Sequence, residues 1–109
     1  MIQSTVRMTI PPQKKEEAFK ILKSVAEQCR VVPGCLSCHF YEDLQEENVL
    51  MFEEIWRDEE DMNLHLRSEE YRNLLLVLEM SLKQPEIRFD TISSSTGIEV
   101  IEKARMHAR

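Results

Sequence analysis

The sequence predicts an α+β domain: one antiparallel four-stranded sheet with its helices on one side. Three observations lead there. The chain has 109 residues, which is one domain's worth. Its apolar residues switch between a period of two and a period of three to four, in the order strand, helix, strand, strand, helix pair, strand. That order is the ferredoxin-like split βαβ arrangement. The third observation is that the central hairpin is apolar on both faces, which helices on one side alone would leave half in water.

Residues 2–10 place Ile2, Val6, Met8 and Ile10 on one side and Gln3, Thr5, Arg7 and Thr9 on the other, the alternation of a strand. Pro11 and Pro12 stop it. Over residues 13–30, Ala18, Leu22, Val25 and Cys29, with Phe19 and Ala26 beside them, follow helical spacing, and lysines and glutamates fill the solvated face. Val32-Pro33-Gly34 signals a turn into a strand over residues 35–42, and the polar loop 43–48 leads to a second strand over 49–57.

Alternation puts Leu36, Cys38 and Phe40 on one face of the first hairpin strand and Cys35, Ser37, His39 and Tyr41 on the other. In the second strand Leu50, Phe52, Glu54 and Trp56 share a face, with Val49, Met51 and Ile55 opposite. Packing two such sheets face to face in a homodimer would cover the exposed apolar side. Asp58 is the expected N-cap of a short helix to residue 67, and Ser68 that of a helix to Leu82 with Tyr71, Leu74, Leu75, Leu78 and Leu82 inward. After Pro85 a last strand covers residues 86–93, setting Ile87, Phe89 and Thr91 against Arg88, Asp90 and Ile92. The division is a domain over 1–93 and a tail over 94–109, with a Ser-rich joint and either a short helix over 98–107 or a loose end.

Composition excludes several function classes. Only two glycines, Gly34 and Gly97, are present, whereas phosphate-cradling loops need several. Twenty acidic against 14 basic residues, a net charge of -6, disfavour nucleic acid and anionic membrane as partners. The amino-terminal stretch lacks the pattern of a signal peptide, no apolar run reaches about 18 residues, and three cysteines do not make a disulfide framework. The expected location is the cytoplasm. Cys35-Leu36-Ser37-Cys38-His39 matches the C-x-x-C-H pattern of covalent haem attachment, but strand alternation should point its two cysteines to opposite faces. Neither haem nor another cofactor nor a structural metal is expected there.

Pro33-Gly34-Cys35-Leu36, the strand-borne E-x-W of Glu54 and Trp56, and the H-x-x-S-x-x-Y of His65, Ser68 and Tyr71 together resemble the antibiotic biosynthesis monooxygenase family over residues 2–93. The resemblance implies a dimeric α+β barrel of ferredoxin-like subunits. The family includes cofactor-free quinol and polyketide monooxygenases, haem-degrading enzymes and an isomerase of a phosphorylated signal. The haem branch wants an asparagine near Val6, a tryptophan at His65 and a haem-ligating histidine at Leu75, and this chain has none of the three.

His65, at the edge of a core-facing helical stripe, has a near-neutral imidazole able to take a proton from a phenol or hold the resulting charge; otherwise it caps the helix junction. Glu54, a carboxylate amid apolar strand residues, must be paired or put to use, and Arg7, Lys83 and Arg88 are available partners. Tyr71 either donates to a substrate oxygen or is a core tyrosine. Trp56 with Phe52 forms a wall for an aromatic ring or an ordinary core pair. His39 and Tyr41 line either a pocket or the dimer contact. The catalytic set is thus His65, Tyr71 and Glu54, and the substrate-binding set Trp56, Phe52, His39 and Tyr41, with no metal. The expected activity is cofactor-independent monooxygenation of a small aromatic or quinol-like substrate, which supplies its own electrons. The alternatives are a non-catalytic small-ligand binding dimer and an isomerase of a small phosphorylated signal.

Overall fold

Strict alternation builds the first strand: Ile2, Ser4, Val6 and Met8 are buried, and the residues between them are half-buried. This strand is β1 (Ile2–Thr9) in the computed structural model, which describes residues 1–106. Pro12 opens a single 3-10 turn, because proline's fixed φ and missing N–H suit a first helical position. α1 (Lys15–Cys29) follows and buries Ala18, Leu22, Val25, Ala26 and Cys29. β2 (Cys35–Glu42) and β3 (Val49–Trp56) form the hairpin. Asp58 accepts from the Asp61 N–H to cap α2 (Glu59–Leu66), and Ser68 accepts from the Tyr71 N–H to cap α3 (Glu69–Leu78). β4 (Glu86–Thr91) and α4 (Ile98–Met106) complete the described chain. His107, the expected end of the tail helix, lies with residues 108–109 outside the described residues.

The four strands lie in the order β2-β3-β1-β4 with all pairs antiparallel, the ferredoxin-like topology. α1 and α3 pack together over one face. Between them and the sheet lies a core of Val6, Met8, Leu22, Val25, Leu50, Phe52, Trp56 and Leu74. No helix among the described residues is long and apolar enough to cross a membrane.

Three local expectations are corrected. A β-bulge between Cys35 and Ser37 breaks the alternation of β2: Cys35 pairs with Trp56 and Cys38 with Glu54, so both cysteines face the helices while Leu36 is left exposed. The extra residue at a bulge shifts the following side chains by one face. α3 stops at Leu78 rather than Leu82, because the Ser81 hydroxyl and the Leu82 N–H return to the backbone of Thr9. Tyr71, Leu74 and Val77 are buried, whereas Leu75 and Leu82 face outward. β4 ends at Thr91 rather than at residue 93, and on it Ile87 lies beside Val6 and Phe89 beside Ser4, on the helix side of the sheet. Both nevertheless remain exposed, as does every described residue of α4.

The turn from α1 to β2 depends on glycine at one position. Gly34 has φ +88°, and a Cβ there would run into the Asp61 side chain at the start of α2. Its carbonyl accepts from the Arg57 N–H at 2.8 Å, which ties the turn to the end of β3. The close approach brings the end of α1, the start of β2 and α2 to one place.

Candidate functional site

Glu54 occupies the middle of β3 on the helix side of the sheet, between Phe52 and Trp56, and is fully buried. Such a carboxylate needs every lone pair occupied. Its Oε2 lies 2.7 Å from His65 Nε2, at the end of α2, and 3.7 Å from the Sγ of Cys29, the last residue of α1. Its Oε1 accepts from Trp56 Nε1 at 3.2 Å. Three donors from three elements therefore converge on one carboxylate.

His65 is sandwiched. The Trp56 ring lies along it with centroids 4.9 Å apart at 34°, and Tyr71 meets it edge-on at 5.3 Å and 80°. Burial by itself depresses an imidazole's proton affinity, but hydrogen bonds to Cys29 and Glu54 outweigh it and push His65 up to about 9. The direction of that shift favours the imidazolium form of His65 at neutral pH. One atom is left over: Nδ1 of His65 is buried and has no hydrogen-bond partner among the described residues. Burial, and next the nearby Glu54 charge, raise the Tyr71 phenol above its ordinary value, so it is neutral and able to donate.

A model of the antibiotic biosynthesis monooxygenase family matches residues 1–75, which hold the whole cluster. The chain belongs to that family. An uncharacterized protein of Synechocystis is 37% identical to this family member over 59 residues, 54% of this chain and 40% of that protein. The chain thus spans less than half the length of that curated relative. A conserved protein from Methanosarcina mazei has a similar structure, with TM-score 0.76 and 27% identity over 82% of this chain and 89% of its own. A structure named antibiotic biosynthesis monooxygenase matches with TM-score 0.77 and 18% identity, over 86% of this chain and all of its own, which shows the shared fold.

Within this family member the predicted residues separate into two groups. His65, Glu54, Trp56 and Tyr71 come together, and Phe52 continues their face of β3. His39 and Tyr41 do not join them. They lie on the other face of the sheet, opposite Glu53 and Met51, where their rings sit 6.3 Å apart and Arg30 approaches His39 Nδ1 at 3.3 Å. The C-x-x-C-H run consequently does not converge either: its two cysteines face the core and its histidine faces away.

The basic partners expected for Glu54 are elsewhere. Arg7 points to the open face and binds Asp43 and Glu46, and Arg88 binds Asp90. Lys83 lines a cavity of about 150 Å³ that it shares with Arg7, Glu46 and Glu86. Ser68 caps α3 as expected, and its hydroxyl also donates to the backbone carbonyl of His65 at 2.6 Å rather than bonding the imidazole. Sequence reasoning missed Cys29 and Cys35 as members of the site. Cys29 was legible as a core position of α1, and the short turn at Gly34 was legible too; the bulge that brings Cys35 Sγ to 3.6 Å from Cys29 Sγ was not.

Proposed function

We propose that this chain is a cofactor-independent monooxygenase of a small phenolic or quinol-like substrate, with His65 holding the substrate's ionised oxygen. The observation that carries the reading is the orphaned Nδ1 of a buried imidazole whose other nitrogen is tied to the buried Glu54 side chain. Glu54 fixes the ring and keeps it charged, so that Nδ1–H is a donor aimed at whatever anion arrives. Binding the phenolate or enolate there lowers the substrate's own pKa. The electron-rich anion then reduces dioxygen, one oxygen atom entering the product and the other leaving as water. Trp56 is the wall for the ring, and Tyr71 a second donor.

Access is the demanding part, because none of the main cavities among the described residues touches the cluster. α2 is the element able to open, since only Met62 and His65 along it are buried. The closed packing is also the observation that favours the second reading, a non-catalytic small-ligand binding dimer. The isomerase reading loses support because Arg7 and Arg88 are engaged by carboxylates.

Oxygen uptake with hydroquinones and anthrone-type compounds tests the reading, run in the presence of a metal chelator. Turnover by the wild type that falls about 100-fold or more in His65→Gln, with Tyr71→Phe less affected, is the expected result. No uptake above buffer with any such compound leaves the binding reading standing.

The partner is proposed to be a second copy of the chain. The open sheet face carries Leu36, Tyr41, Met51 and Ile55, of which Leu36 and Tyr41 are exposed and the other two half-buried. Face-to-face packing would bury this strip. Light scattering at micromolar concentration is expected to give twice the chain mass, and Ile55→Glu, which buries a charge at the centre of the contact, the single-chain mass. A monomeric wild type would remove the dimer.

A further inference from the structure

We propose that Cys29, Glu54 and His65, closed by Cys35, form a binding site for a divalent transition metal of the Zn²⁺ class. This goes beyond the proton-holding role of the same histidine and does not rest on it. Cys29 Sγ, a Glu54 oxygen and a His65 ring nitrogen all lie within 4.8 Å of one another, and all three residues are buried. Mixed sulfur, nitrogen and oxygen donors are the ligand set of Zn²⁺ and its neighbours.

The distances between donors test the fit. With bonds of about 2.3 Å to sulfur and about 2.0–2.1 Å to nitrogen or oxygen, a tetrahedral centre separates two sulfurs by about 3.8 Å, sulfur and oxygen by about 3.6 Å, and nitrogen and oxygen by about 3.3 Å. The two thiols of Cys29 and Cys35 are 3.6 Å apart, and Cys29 Sγ is 3.7 Å from Glu54 Oε2. Of these three edges only that between His65 and Glu54, 2.7 Å, is shorter, as expected where a shared proton takes the place of the metal, and the Cys35 thiol, which meets the set through Cys29, has to turn toward the ion to close it. Opening that edge by roughly half an ångström would admit the ion.

Charge points the same way. One thiolate, one carboxylate and a neutral imidazole cancel a dication, which a buried site requires. Cys35 adds its sulfur from a half-buried position beside Cys29, where residual charge is closer to solvent. Trp56 Nε1 already holds the other Glu54 oxygen in place. Without a cation both thiols stay protonated: Cys35 is pushed up to about 12 by burial and then by Cys29, and Cys29 is raised by its hydrogen bond with Cys38 and by burial. Metal and proton therefore compete at Nε2, and the metal-loaded and proton-loaded states exclude each other.

Titration of the reduced, chelator-washed protein with Co²⁺, without any substrate, reads the site directly. The expected result is near-ultraviolet thiolate-to-cobalt charge transfer with the visible bands of a tetrahedral centre, displaced by one equivalent of Zn²⁺. Cys29→Ser should weaken binding more than about 100-fold. Cys35→Ser, at a half-buried position that tolerates the change, should keep a tetrahedral spectrum with about half the charge-transfer intensity. Absence of charge transfer, a spectrum unchanged by Cys29→Ser, or one unchanged by Cys35→Ser would overturn the proposal. Oxygen uptake in chelator reports on His65 separately, so either idea can fail alone.

Discussion

Replacement of Glu54 by alanine is expected to cost about 3–5 kcal/mol of folding stability, the largest loss from any single substitution at the cluster. The physical reason is what remains behind. Glu54 is the common acceptor of His65 Nε2, Trp56 Nε1 and Cys29 Sγ, and all three donors are buried. Removing it leaves an imidazole and an indole N–H without partners in a site that water does not reach, in addition to a cavity. Glu54→Gln should lose less, about 1–2 kcal/mol, because an amide oxygen still accepts from one donor.

The double substitution Glu54→Leu with His65→Leu should recover a large part of the loss, since apolar groups of similar size often replace a buried ion pair at no net cost, the remainder being the Trp56 indole N–H still left without its acceptor. Chemical denaturation of the three variants measures these differences. Recovery in the double variant would mean that the pair is not kept for stability and so has another use. If the double variant is as unstable as Glu54→Ala, the pair is part of the folding core and the functional reading loses its main support.

Periodicity made most of the fold legible. β1 shows it best: its alternation is uninterrupted, and the structure buries every second residue. The Asp58 and Ser68 caps were equally readable, because a short polar side chain ahead of an apolar stripe has a single local use. The failures share a cause, which is that a period carries no phase information across an irregularity. One inserted residue at the β2 bulge turned Cys35 inward, and a backbone return to Thr9 ended α3 a turn early and left Leu82 outside. The site was legible in its members but not in its pairings. Glu54 was visible as a carboxylate needing a partner, yet formal charge pointed to Arg7, Lys83 and Arg88. In the folded chain those side chains lie elsewhere, and the actual partner is a histidine that burial alone would neutralise. The identity of that partner depends on the angle at which α2 crosses β3, a tertiary quantity that neither composition nor spacing records.

The charge state of His65 leads to the second large effect, a pH dependence opposite to acid denaturation. Against burial, which lowers it, His65 is held up to about 9 in the folded protein by Cys29 and Glu54, compared with an ordinary value of 6.5. Folding therefore stabilises the protonated imidazole. Below pH 6.5 both the folded and the unfolded chain carry the proton, and the full contribution is present. Between 6.5 and 9 the unfolded chain has released it while the folded chain keeps it, so stability falls as pH rises, by roughly 3 kcal/mol in total. Above 9 the folded protein releases it too and the contribution is gone. Denaturation midpoints for the wild type should thus decline steadily across this window, whereas His65→Gln, less stable at pH 6, should show a nearly flat profile that meets the wild type near pH 9. The same titration sets the upper limit of activity: a substrate anion held on Nδ1–H loses its counter-charge when the imidazolium deprotonates, so turnover should drop on the alkaline side even as more free substrate ionises. Parallel stability profiles for wild type and His65→Gln would mean that the imidazole is neutral at pH 7, and Nδ1 would then have to act as a base instead of an anion holder.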